Sequence, residues 1–267
     1  MANRSCLLLI LCLVTVAPPG LGAVELLPHQ AVYRMSLISA TRGSEVVGAE
    51  GAMFYRLTQA CDGWTTENYT YLRLTYENGT DAESVWNYAS WEANDGLGFR
   101  FHARHDQNGR IIEKLEGEAD LSGKGAAGTA RFVRPAEKVI NLPEGTLFPT
   151  EHMRKFIDVA AAGGKSFSRV VFDGASLDNP FLVNAVFGPL PQAAADALTA
   201  ATGLKPAAAW WTRMAFFPYY SATALPEFEI GAEYRADGVA DSITQHFDEF
   251  SLKVRLKELE VLPPPDC

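Results

Sequence analysis

The chain has 267 residues, 48% of them hydrophobic and 11% aromatic, enough to bury a full core as one large domain or two smaller ones. Its 32 acidic residues outnumber 23 basic ones for a net charge of −9, which argues against nucleic acid as a partner. The longest apolar run falls short of the roughly 20 residues a spanning helix needs, so no stable membrane span is expected.

That run, from Cys6 to Ala17, follows Arg4 and gives way to Pro18, Pro19 and Gly20 before Ala23. The order of positive, apolar and small residues reads as a cleaved signal peptide over residues 1–23, with the mature chain starting near Val24. Cleavage removes Cys6 and Cys12 and leaves Cys61 and Cys267. An exported chain with two cysteines is expected to close them into a disulfide, the alternatives being two free thiols or a bridge to another chain. A bond spanning some 200 residues contributes on the order of 5 kcal/mol in the chain-entropy model. It also favours a single domain over 24–267.

Alternating segments separated by turn signals such as Asn78-Gly79, Asn94-Asp95-Gly96, Asn108-Gly109 and Asp237-Gly238 fill most of the rest. Strands are predicted near 29 to 39, 45 to 58, 64 to 77, 82 to 92, 97 to 106, 110 to 121 and 127 to 134. A helix follows Pro149, where Met153, Phe156, Ile157, Ala160 and Ala161 share helical spacing, with Thr150 capping its start and Gly163 its end. Strands resume near 166 to 173 and 181 to 187. Gln192 to Thr202 reads as a second helix, rich in alanine, with a thin apolar face that predicts a shorter or more mobile element. Further strands fall near 210 to 219, 227 to 235, 239 to 248 and 250 to 261. In the last, Phe250, Leu252, Val254 and Leu256 share one face against Ser251, Lys253, Arg255 and Lys257, as in a half-buried strand of a curved antiparallel sheet. Pro263, Pro264 and Pro265 cannot extend a ladder, so the tail is expected to run as a stiff strap delivering Cys267 to the turn that bears Cys61.

No motif for a cofactor, metal or catalytic group emerges. Gly164-Lys165-Ser166 lacks the earlier glycine of a phosphate loop, since Val159 stands there. On a strand, His102 and His105 point to opposite faces and cannot share a metal. Gly174-Ala175-Ser176-Leu177-Asp178 lacks the second glycine of a nucleophile elbow. The aromatic run is more suggestive. Trp210, Trp211, Phe216, Phe217 and Tyr219 place rings on both sides of a strand, so one set fills a core while another lines a groove for an acyl chain or apolar peptide.

Several segments resemble the EipB family of alphaproteobacterial cell-envelope integrity proteins, formerly a domain of unknown function. They are Leu27-Pro28-His29-Gln30-Ala31-Val32-Tyr33, Ala89-Ser90-Trp91-Glu92, Asp95 through Phe101, and Leu142 through His152. Gly238-Val239-Ala240-Asp241 and the closing Pro265-Asp266-Cys267 complete the match, while Gln192 to Ala209 lies outside it. The resemblance implies a periplasmic, mainly β protein: a curled antiparallel many-stranded β-spiral, open and barrel-like, with a few helices and a disulfide between an early loop and the C-terminus. It implies a factor linked to envelope integrity and brings no catalytic residue; with the aromatic run and the lack of a catalytic constellation, the expected role is a non-enzymatic one that binds an envelope lipid, lipoprotein or periplasmic protein on the curved sheet. The other readings are a hydrolase of an envelope polymer using His152 or His29 with a carboxylate, and a purely structural scaffold.

Overall fold

The computed structural model describes residues 24–267, so the leader expected over residues 1–23 lies outside the described residues. The chain runs β1 (His29–Ala40), β2 (Val46–Gln59), β3 (Gly63–Tyr76), β4 (Asp81–Ala93), β5 (Gly98–Gln107), β6 (Arg110–Leu121), β7 (Gly128–Arg134) and β8 (Lys138–Leu142). It continues with α1 (Pro149–Ala161), β9 (Ser166–Val171), β10 (Phe181–Pro189), α2 (Gln192–Thr202), β11 (Ala209–Pro218), β12 (Phe228–Arg235), β13 (Ala240–His246) and β14 (Phe250–Val261). The fold is mainly β, as the alternating pattern predicts. β14 buries Leu252 and Val254 and turns Arg255 outward. Asn108 and Gly109 both take positive φ, which a two-residue hairpin turn of matching twist requires.

Fourteen antiparallel strands form one sheet in the order β8-β7-β6-β5-β4-β3-β2-β1-β14-β13-β12-β11-β10-β9. Two meanders are therefore joined edge to edge by the first and last strands, whose register runs from His29 opposite Val261 to Ala40 opposite Phe250. The sheet curls until its ends approach each other. Leu147, just beyond β8, bridges to Val171 of β9, and Tyr220 donates from its hydroxyl to the Asn141 carbonyl at 2.6 Å. Behind this seam, Phe99, Phe101, Phe132, Phe148 and Phe172 pack face to face and edge to face with ring centroids 4.9 to 6.5 Å apart.

Three sequence expectations change. β8 was not anticipated, because its five residues follow closely on Pro135 and only Ile140 and Leu142 turn inward. α2 runs its whole predicted span, docked by the buried Leu198 against β13 and β14 and closed by Gly203 in the left-handed region. Thr150 is not the cap of α1. Phe148 holds that position without a side-chain bond, and the capping oxygens come from a distant strand: Glu92 of β4 accepts from the backbone N–H of Thr150 at 2.7 Å and of Glu151 at 2.8 Å. A carboxylate at a helix N-terminus satisfies orphan donors and meets the positive end of the dipole. At the other end Gly163 (φ +84°) and Gly164 donate to Ala160 and Val159 as in a Schellman cap. Between these anchors, Phe156, Ile157 and Ala160 face the core, while Ala161 is exposed.

Cys61, in the turn between β2 and β3, is bonded to Cys267 with their Cα atoms 5.7 Å apart. The tail leaves β14 at Val261, and the Leu262 N–H donates to the Pro28 carbonyl before the prolines carry it to the turn. Asn94 donates to the Cys61 carbonyl at 3.0 Å, tying that turn to the one after β4. With the cysteines 206 positions apart, Cys267→Ser is expected to lower stability by about 2 to 5 kcal/mol in denaturant unfolding and to raise protease sensitivity.

Burial pushes the Glu92 carboxyl up to about 7 against the pull of its two amide bonds. The folded state therefore holds a proton that the unfolded chain releases near 4.5, and this contribution is complete below pH 4.5 and lost as pH rises through 7. Glu92→Gln is expected to flatten the pH dependence of the unfolding midpoint between pH 4.5 and 7, and Glu92→Ala to destabilise by about 1 to 3 kcal/mol by orphaning two buried amides.

Candidate functional site

The concave face is filled by three apolar clusters, and where the sheet, α1 and the N-terminal segment meet they leave a partly enclosed cavity of about 260 Å³. That lies between the roughly 150 Å³ hollow that accepts benzene and the 300–1,000 Å³ of drug-sized pockets. Strand register builds its walls. His29 stands opposite Leu57, Tyr33 opposite Met53, and Leu57 opposite Thr66, so all project to one face of β1, β2 and β3. Tyr55 of β2 joins them. Met153 and Thr150 of α1 form the roof, and Tyr234, Ala240 and Ile243 of β12 and β13 the far wall.

Leu26 closes one side. The Leu27 N–H donates to the Asp237 carbonyl, and the turn it meets is held by buried Arg235, which donates to Asp237 at 2.8 Å and to the Lys205 carbonyl at 2.9 Å. The N-terminal segment, the loop after α2 and the β12–β13 turn are thus fastened at one point.

The lining holds no lysine, arginine, aspartate or glutamate. His29 Nδ1 lies 2.7 Å from the Leu27 carbonyl, which can only accept, so Nδ1 carries the proton and Nε2 is left as an acceptor. Burial lowers the His29 pKa and keeps the ring neutral at pH 7. Tyr33 donates to the Ala240 carbonyl at 2.9 Å, and burial raises its pKa, as it does that of Tyr55 beside Thr66. Tyr234 is half-buried by surface area, yet desolvation alone carries its phenol up to about 12. The cavity is apolar, uncharged at neutral pH, and fringed with phenols.

The five residues nominated from the aromatic run do not line it. Trp210 is buried in the core, and Phe216 stacks on Phe228 with centroids 4.4 Å apart. Trp211, 44% exposed, points to the outer face and lies over Gly188, where an added Cβ would come within 2.9 Å of the indole nitrogen. Phe217 shares that outer side, and Tyr219 packs against Tyr220 near the seam. Adjacent strand residues face opposite ways, so the run divides between core, outside and seam. The cavity's own residues share no local pattern because they are scattered: Tyr33 and His29 belong to the segment after Leu27, and Tyr55 and Tyr234 are nearly 180 positions apart.

The histidines form no acid–base pair with a carboxylate among the described residues. His152 is buried against Phe167, its Nε2 unpartnered, and burial with the nearby Arg169 guanidinium lowers its pKa to about 4. His246 meets the Ser251 hydroxyl at 2.9 Å, with no carboxylate bonded to the ring. His105 stacks on Trp86, and among the described residues no group of three or more His, Cys, Asp or Glu side chains is placed to hold a metal.

A family model described as EipB-like matches residues 21 to 263. The chain is 26% identical over 249 residues to the cell envelope integrity protein EipB of Brucella abortus, covering 92% of this chain and 88% of that one. It is also similar to a crystal structure of a beta-barrel-like protein of a domain of unknown function from Brucella abortus, with a TM-score of 0.80 and 26% identity over 90% of this chain and 100% of that chain. Together with the fourteen-stranded curled sheet, this match across nearly the whole length shows that the chain belongs to the EipB-like family.

Proposed function

We propose that the protein is a non-enzymatic periplasmic factor for cell-envelope integrity that holds the acyl part of an envelope lipid or lipoprotein in the cavity beneath α1. The observation that carries this reading is the cavity itself: an apolar, uncharged hollow on the concave face of a sheet whose interior otherwise holds buried apolar clusters. Close-packed interiors leave few voids larger than a water molecule, so a partly enclosed apolar hollow of this size has room for an occupant. The name of the Brucella relative, a cell envelope integrity protein, supports the cellular role. The leader expected over residues 1–23 and the Cys61–Cys267 bond support an oxidising compartment outside the cytoplasm.

Catalysis has less to recommend it, since each candidate histidine is bonded to a backbone carbonyl, buried without a partner or paired with a serine alone. Ile243→Trp places an indole in the cavity from β13 and blocks the path of a chain. In a strain lacking the protein, this variant is expected to accumulate with an unchanged melting temperature and to fail to restore resistance to detergent and other envelope stress. Full complementation by a folded, cavity-blocked variant contradicts the reading.

A further inference from the structure

We infer, building on that binding reading, that the cavity takes one unbranched, uncharged alkyl chain of about eight to ten carbons and leaves any charged headgroup outside. Its volume of about 260 Å³ holds on the order of nine atoms at roughly 30 Å³ each, the room of one chain and not of two side by side. Met53 from the sheet and Met153 from the helix both line it, and their unbranched side chains adapt to a slender occupant. No lysine, arginine, aspartate or glutamate lines it, so a carboxylate or ammonium drawn inside finds no counter-charge, and its burial is strongly disfavoured. Tyr33 already donates to the Ala240 carbonyl. The Tyr234 hydroxyl and His29 Nε2 are left to meet a neutral carbonyl or hydroxyl where the chain joins its head.

The test titrates the purified protein with 1-alkanols of four to fourteen carbons and with alkanoates of the same lengths at pH 8, by calorimetry. Alkanol affinity is expected to rise about fourfold per added methylene up to eight to ten carbons and then level off. The matching alkanoates are expected to bind at least tenfold more weakly. Met153→Phe from the helix and Ile243→Phe from the sheet narrow the cavity independently, and whichever keeps the parent melting temperature is expected to shorten the preferred chain. At the preferred length, an acylglycerol and an N-acylated tripeptide distinguish a lipid from a lipoprotein source: binding by either upholds the inference, and the tighter one assigns the source. Affinity that climbs unbroken to fourteen carbons, or alkanoates that match alkanols, overturns the chain-length and charge inference while leaving the acyl-binding reading standing. Failure of every alkanol and acyl compound to bind removes that reading as well.

Discussion

The pairing of β1 with β14 is the interaction on which the rest of the structure depends. Each meander folds from neighbours in sequence, but they become one sheet only where the first and last strands meet. That contact closes the longest loop in the molecule and carries the largest closure entropy. Two fastenings sit beside it. The bond between Leu262 and Pro28 extends the ladder by one step, and the Cys61–Cys267 disulfide then locks the tail to the turn after β2. Without the central pairing, neither the curl nor the opposition of β1–β3 to β12 and β13 would exist, and that opposition makes the cavity walls.

A fourteen-stranded sheet that curls without fully closing leaves two edges and more interior than side chains from one face readily fill. The molecule meets this in two places with two different devices. At the seam, five phenylalanines and the Leu147 bridge to Val171 fill and join the ends. Across the middle, α1 is laid over the concave face, its N-terminus tied to β4 through Glu92 and its C-terminus closed on itself by a Schellman cap. Under α1, the packing stops short. The gap lies where tyrosine phenols stand in place of aliphatic side chains.

Much of the strand plan was legible because a half-buried antiparallel strand states its own pattern, as Leu252 and Val254 do against Lys253 and Arg255. The disulfide follows from the expected leader, whose removal leaves two cysteines in an exported chain. What stayed hidden was everything that depends on residues far apart in sequence. Glu92 lies in a strand segment with no local sign of its role, yet it caps a helix 58 residues away. The aromatic run from Trp210 drew attention because its residues are adjacent, and adjacency on a strand is what separates side chains. The cavity gathers Tyr33, Tyr55 and Tyr234 through register and curl, neither of which a local pattern records. A lone methionine on α1, Met153, belongs to the helical stripe by spacing and to the cavity roof by position.

The central claim is that this gap is a binding site and not a packing defect. Mass spectrometry under non-denaturing conditions, on protein isolated from its own cell envelope without detergent exchange, tests it most directly. The account predicts a single acyl-bearing adduct at one copy per chain, lost on denaturation and absent from the Ile243→Trp protein prepared alongside. A bare chain mass in both preparations, or an adduct that survives blocking of the cavity, contradicts it.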